Sequence, residues 1–311
     1  MKISIIGSGA MGSLYGGKLS LAGYDVVLFD VYREHVETVR RDGLVIEDAA
    51  TGGSLVARPV ASTEPQAVEG SDVLIVFVKS TATEQVASQF ESRVGPRAIA
   101  VTLQNGLGNE AIIRRHFGPA RTAAGVTSHG ATFLGPGRIR HAGKGPTHIA
   151  MADGETGKLR PFAEALRAAG FETHVEKDVA SLVWSKLVIN VGINALTALI
   201  GQTNGALLRH EETKTIMADL VSEAVAVARA RGVHLAFDDP LATVYEVAKK
   251  TGANRSSMLQ DFDKHRESEI DFMNGAIARE AEELGIPVPV NATVTRLVKT
   301  LDRIHTQESA S

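Results

Sequence analysis

The chain has 311 residues, 44% of them hydrophobic and 22% charged, with 33 basic against 36 acidic side chains and a formal net charge of -3. At roughly 100–200 residues per domain, this length allows about two domains with cores of their own, and the composition excludes a globally disordered chain. The balance of charge offers no excess positive field to a phosphate backbone, so nucleic acid is not an expected partner, and the lack of cysteine excludes disulfides, thiolate metal sites and cysteine nucleophiles.

The first strand-like run is KISIIG, and its glycines cut it short of the apolar core that a signal peptide needs. A helical stretch from Met11 to Ala22 follows, then DVVLF, then a second helix through Val39. The alternation continues with SDVLIVFV (71–78), a helix near Ala82–Phe90, AIAVTLQ (98–104), a helix near Glu110–Phe117, and the β-rich TAAGVTSHGATF and THIAMA. These apolar runs are continuous rather than alternating, as in strands covered on both faces, which predicts a doubly wound parallel sheet.

From Asp178 onward helical periodicity takes over, giving an expected α/β domain over 1–177 and an all-α domain over 178–311. The longest apolar run, LVINVGINALTALIG from Leu187 to Gly201, falls short of the ~18 residues that span a bilayer and contains two asparagines. It reads as a buried helix of a protein with no membrane role, expected in the cytoplasm. Asp239-Pro240 reads as the capped start of a helix that Gly252 ends. One helix is expected from about Ser256 to Leu284. Another is capped by Asn291 and carries Val294, Leu297, Val298, Leu301 and Ile304, with a fraying tail after His305.

Gly7-Ser8-Gly9-Ala10-Met11-Gly12 is a GxGxxG set directly after a strand and at the opening of a helix, where absent side chains let a pyrophosphate approach backbone N–H groups. Asp30 ends the second strand of DVVLFD, where a carboxylate accepts hydrogen bonds from the ribose hydroxyls of NAD and repels the 2′-phosphate of NADP. NAD(H) is therefore the expected cofactor. Arg33, three residues on, keeps NADP(H) as the alternative. Lys79 and Asn105 stand after strands, at the edge where α/β sheets bind ligands.

In the apolar helix around 182–198, Lys186, Asn190 and Asn194 recur at i, i+4 and i+8 and so share one face. Burying amides and an ammonium costs several kcal/mol unless they find partners, which here are either a ligand or a structural row between helices. Glu269 is expected inside the apolar stripe of the 256–284 helix, and Ser257 near its start has a hydroxyl for an anion or for a cap. His129 has no carboxylate pairing legible in the chain and reads as structural. No histidine or carboxylate cluster has metal-ligand spacing, so no metal is expected.

GSGAMG, VK at 78–79, QNG at 104–106, WSKLVINVGIN at 184–194 and NRSSMLQDF...SEIDFMNG at 254–275 occur in this order, and together the chain resembles the ketopantoate reductase family over nearly its whole length. The resemblance implies a Rossmann-type domain followed by a helical one. It implies that Lys186 is the catalytic lysine and Glu269 the carboxylate that works with it. It further implies that Asn105, Asn190, Asn194 and Ser257 contact the substrate, and that Lys79 and Asn105 lie toward the cofactor.

NADP-using members of the family commonly carry an arginine where this chain has Asp30-Val31-Tyr32-Arg33, and relatives include NAD-using reductases of other 2-keto acids. Reduction of a ketone places negative charge on its oxygen as hydride arrives, and a lysine ammonium beside that oxygen meets the need. The expected partner is thus a small 2-keto acid, ketopantoate by default. The alternatives are an NAD-dependent D-2-hydroxyacid dehydrogenase and a non-catalytic NAD(P)-sensing protein. Apolar surface on the helical domain also allows a homodimer.

Overall fold

A computed structural model describes the backbone from Met1 to Glu308 and side chains as far as His305, so the fraying expected after His305 lies outside the described side chains. The chain forms two units, one of Met1–Gln104 with Asn109–Val179, the other of Asn105–Gly108 with Ala180 onward. The excursion of Asn105–Gly108 into the second unit has no counterpart in a simple cut of the sequence at 177.

In the first unit β1 (Lys2–Ile6), α1 (Ala10–Leu21), β2 (Asp25–Phe29) and α2 (Arg33–Asp42) follow the expected rhythm. The next stretch breaks it with β3 (Leu44–Asp48), β4 (Ser54–Ala57) and β5 (Val60–Ser62). Then come β6 (Val73–Val76), α3 (Thr83–Glu91), β7 (Ile99–Thr102), α4 (Asn109–Phe117), β8 (Thr122–Thr127), β9 (Gly130–Gly135), β10 (Arg138–Gly143), β11 (Thr147–Met151), α5 (Arg160–Ala168) and β12 (Thr173–Val175).

The main sheet has eight strands in the order β12-β11-β8-β7-β6-β1-β2-β5. It is parallel, as expected of a doubly wound sheet, except where β11 meets β8 antiparallel. Its two covered faces explain the continuous apolar runs. Ile3 and Ile5 of β1 and Val73 and Ile75 of β6 enter one core, while Ile6, Leu74 and Val76 enter the other with Phe90 and Ile113. Each such side chain contributes about 1.5–3 kcal/mol when fully buried.

A second sheet of four strands, β4-β3-β10-β9, was not legible in the sequence. Its Leu44, Ile46 and Ile139 share a core with Leu14, Tyr15 and Leu19 of α1, which leaves α1 buried almost all round. In the main sheet, β1 sits between β2 and β6, so chain order reverses there, and ligands of open α/β sheets bind outside strand ends at such a reversal.

The second unit contains α6 (Ala180–Ile200), α7 (Glu211–Ala230), α8 (Pro240–Lys250), α9 (Ser257–Phe262), α10 (Asn274–Leu284) and α11 (Pro289–Glu308). At 21 residues and mean hydropathy 1.5, α6 is long and apolar enough by composition to cross a membrane, beyond what the shorter apolar run suggests, but most of it is buried within this protein. The core around it takes Val191 and Leu196 from α6, Leu220 and Ala224 from α7, and Val244 from α8. Asp239 caps α8 as expected, its carboxylate accepting the Ala242 N–H at 3.0 Å.

Two expectations fail here. The single helix over 256–284 is broken after Phe262, because Asp263–Glu267 is polar at every position and gives a helix no face to bury. Asn291 does not cap the last helix: it lies inside α11, fully buried, and donates to the Leu220 carbonyl and the Glu223 carboxylate. Leu297 and Ile304, expected on the apolar stripe of that helix, are exposed.

Candidate active site

The glycine loop joins β1 to α1, and its three glycines do different things. A Cβ on Gly7, which has φ 93°, would lie 2.7 Å from the Val78 nitrogen, and one on Gly12 would lie 2.0 Å from the Gly7 oxygen. Those two positions are glycine because the loop folds tightly on β6 and on itself. A Cβ on Gly9 would meet nothing within 4 Å, so no packing within the protein demands glycine there. The empty side is what a pyrophosphate approaching the backbone requires. Gly9 stands at the start of α1 without a side-chain cap, and Ala10 and Met11 begin the first turn, whose N–H groups favour an anion.

Asp30 is half-buried and tied to that loop. Its Oδ2 accepts the Ser8 backbone N–H at 2.6 Å and the Ser8 hydroxyl at 3.2 Å, and its Oδ1 accepts the Tyr32 N–H at 2.9 Å. A carboxylate has about four acceptor positions, so capacity remains for ribose hydroxyls. Arg33, at the first position of α2, is exposed. The residues present therefore fit a pyridine dinucleotide.

Lys79 follows β6 and is half-buried. The strand end before it is fixed by Gln104, whose Nε2 donates to the Val78 carbonyl at 2.8 Å and to the Thr83 hydroxyl at 2.9 Å. Asn109 extends the net, donating to the Ser80 hydroxyl at 3.0 Å and accepting from the Thr83 hydroxyl at 2.8 Å. Neither Gln104 nor Asn109 was singled out from the sequence, although Gln104 opens the QNG run. Its position at a strand end was the available signal.

In the helical unit, α6 presents Lys186 and Asn190, both half-buried, and Asn194, which is buried. Burial lowers the Lys186 ammonium's pKa to about 8, because an environment poor in water disfavours its charge. Asn194 Nδ2 contacts the Ser257 hydroxyl at 3.4 Å and the Met273 sulfur at 3.6 Å. Ser257 is exposed, in the first turn of α9. The cap of α9 is its neighbour Ser256, whose hydroxyl accepts the Leu259 N–H at 3.1 Å and the Thr197 hydroxyl at 2.6 Å. Ser256 and Thr197 thus lock α9 to α6, and the capping place that the sequence left open to Ser257 is taken by Ser256.

Glu269 is buried, and it precedes a 3₁₀ turn over Ile270–Phe272 rather than riding a long helix. Ser268 anchors this segment through its N–H and hydroxyl to the Asp302 carboxylate of α11, at 3.0 and 2.7 Å. Asn105, half-buried, belongs to the same unit because the Leu107 N–H donates to the Phe272 carbonyl at 2.8 Å. A Cβ on Gly106 would lie 2.4 Å from that oxygen, so glycine is needed for this approach. Asn274 closes the arrangement by donating to the Val191 carbonyl of α6 at 3.3 Å. Within the helical unit, the structure thus joins the segments carrying Asn190, Asn194, Ser257, Glu269 and Asn105.

His129 lies elsewhere, half-buried in the first unit. Its Nδ1 is 3.1 Å from His141 Nε2, and its ring packs edge-on against Tyr15 and Phe171. Burial, then the neighbouring His141 and Lys18, push its pKa down to about 4.

Residues 3–154 match the family model described as ketopantoate reductase PanE/ApbA, and residues 178–302 match its C-terminal counterpart. A 2-dehydropantoate 2-reductase of Halobacterium salinarum is 36% identical over 97% of this chain and 99% of its own length. One from Archaeoglobus fulgidus is 33% identical over 97% and 98%. Among solved structures, a PanE/ApbA family ketopantoate reductase from Ralstonia eutropha superposes with TM-score 0.91 at 34% identity, covering 98% of this chain and all of that one. A D-mandelate dehydrogenase in ternary complex with NADH and anilino(oxo)acetate also reaches TM-score 0.91, at 27% identity and the same coverage.

Proposed function

The chain belongs to the ketopantoate reductase family and is an NAD(P)-dependent reductase, and from that premise we propose that it reduces a 2-keto acid, 2-dehydropantoate by default, with Lys186 as its catalytic lysine. The observation that carries this reading is the polar line of α6, where a lysine with its pKa lowered to about 8 shares one face with Asn190 and Asn194 in an otherwise apolar core helix.

When bound, the reduced nicotinamide supplies the hydride. Lys186 holds its ammonium against the ketone oxygen, favours the charge that grows there, and gives up the proton that completes the alcohol. A lysine with a lowered pKa gives up that proton more readily than an ordinary one. Glu269 orients Lys186 or accepts a substrate hydroxyl. Asn105, Asn190 and Asn194 hold substrate oxygens through their amides, and Ser257 binds the carboxylate. In the first unit, Gly7, Ser8, Gly9, Ala10, Met11 and Gly12 cradle the pyrophosphate, Asp30 accepts from the ribose, and Lys79 lies toward the cofactor, as does Asn105 of the second unit.

NADH is the preferred donor in this reading. The support is Asp30, held toward the loop by Ser8 and Tyr32, where a 2′-phosphate would meet like charge. The same feature favours a second reading, an NAD-dependent dehydrogenase of a bulkier 2-keto acid, since a D-mandelate dehydrogenase with NADH is as similar in fold as the ketopantoate reductase above. Initial rates of NADH and NADPH oxidation with 2-dehydropantoate and with aryl 2-keto acids separate the readings. Turnover of 2-dehydropantoate at the higher kcat/KM supports the first, and an aryl preference the second.

A further inference from the structure

Two buried side chains, His35 and Ser13, link the four-stranded sheet to the glycine loop, and neither is among the residues placed at the dinucleotide. The Gly137 N–H, in the turn between β9 and β10, donates to His35 Nδ1 at 3.0 Å. Because that N–H can only donate, Nδ1 carries no proton, and the neutral ring holds its hydrogen on Nε2. His35 Nε2 lies 3.3 Å from the Ser13 hydroxyl, so it donates there, and the Ser13 hydroxyl donates onward to the Ser8 carbonyl at 2.6 Å. His35, Ser13 and Ser8 are each no more than 1% exposed, so water does not compete for these bonds. Burial also holds the His35 ring below its ordinary pKa, which keeps it in the neutral form the relay uses.

The far end of the relay is itself fixed. The Gly137 carbonyl accepts the Val45 N–H of β3 at 2.8 Å, and a Cβ on Gly137 would lie 2.5 Å from the Thr38 side chain of α2. At the near end, the Ser8 carbonyl and the Gly9 N–H belong to one trans peptide, whose two groups point in opposite directions. Pinning the carbonyl inward on Ser13 turns the Gly9 N–H the opposite way, at a residue that is exposed where Ser8 is buried.

We infer that His35 is a positioning residue, which through Ser13 sets the Ser8–Gly9 peptide so that its N–H faces the dinucleotide pyrophosphate. The inference rests on the reading of this loop as the dinucleotide site. It assigns the second sheet a part in cofactor binding, as the fixed support from which the loop is held.

The test is NADH binding by fluorescence titration and steady-state kinetics, with thermal melts as the check on folding. In His35→Gln the amide nitrogen takes the place of Nε2 and keeps the bond to Ser13. In His35→Asn the amide oxygen takes the place of Nδ1 and keeps the bond to Gly137 while losing Ser13. The expected result is an NADH Kd within about twofold of the parent for His35→Gln, and about five- to tenfold weaker for His35→Asn and Ser13→Ala, the worth of one buried hydrogen bond. The kinetic loss falls on KM for NADH rather than on kcat.

Equal affinities for the two His35 variants, or parental affinity in a folded Ser13→Ala, would overturn the relay. A parent protein that does not bind NADH or NADPH would overturn the dinucleotide reading itself, a distinct outcome visible before any variant is made.

Discussion

The glycine loop and the polar line of α6 are two ways of building a site. In the loop, the proposed working groups are backbone N–H donors, and the groups around them are held in place: Asp30 by Ser8 and Tyr32, and the Ser8 carbonyl by Ser13. On α6, the proposed working groups are side chains on an otherwise apolar helix, where burial alone is enough to shift Lys186. The first site depends on what is absent, side chains at three positions. The second depends on what is present against the grain of its surroundings. Substitutions should therefore damage the first by adding atoms and the second by removing them.

The largest effect is expected at α6. Lys186→Ala should lower kcat by about a thousandfold, the range for removing a proton donor or a charge-stabilising group, with NADH affinity and thermal stability preserved. The loop should divide according to its two kinds of glycine. Gly9→Val should weaken NADH binding by on the order of a hundredfold while the melting temperature stays near the parent's, because its side chain fills only the space a pyrophosphate needs. Gly12→Ala should instead lower the melting temperature, since its Cβ would lie 2.0 Å from the Gly7 oxygen and the loop must shift. Comparable melts for the two would erase the distinction drawn between them.

How far these sites were legible follows from the same contrast. GxGxxG after a strand, with Asp30 at the end of the next, encodes a local turn, so the spacing alone located the loop. Lys186, Asn190 and Asn194 stood out because helical period puts them on one face of an apolar run. The second sheet was missed because its strands pair across distance, β3 with β10, and because short runs such as SLVA carry no signal of their own. Glu269 was located but misplaced: the polar stretch Asp263–Glu267 interrupts the helix that was to carry it. Ser13 and His35 were invisible as a pair, since their bond links two helices and ends on a turn residue far along the chain.

Smaller effects sharpen the comparison. Asp30→Asn should weaken NADH by about tenfold, the worth of hydrogen bonds to a charged acceptor, and narrow the gap to NADPH, which kcat/KM for the two cofactors reads directly. The proposed mechanism uses the ammonium form of Lys186, whose pKa burial lowers to about 8, so it predicts that kcat/KM for reduction falls tenfold per pH unit above about pH 8. In Lys186→Arg that descent should vanish, whatever activity remains.

The smallest effect is on stability. His129 has its pKa lowered to about 4 in the fold against 6.5 when unfolded, so between those values the unfolded chain binds the extra proton and stability declines as pH falls. His129→Gln should make that descent of the melting temperature shallower, the remainder belonging to His35 and His141, which burial also holds below the ordinary histidine pKa.

The central claim is that the half-buried Lys186 of α6 does the chemistry on a 2-keto acid with a dinucleotide bound by the first unit. Its most direct test is the initial rate of NADH oxidation with 2-dehydropantoate, measured side by side for the parent and Lys186→Ala, each shown to be folded and to bind NADH. Turnover by the parent and a loss of about a thousandfold in kcat for the variant is the expected result. A variant that keeps most of the parent's kcat would contradict it.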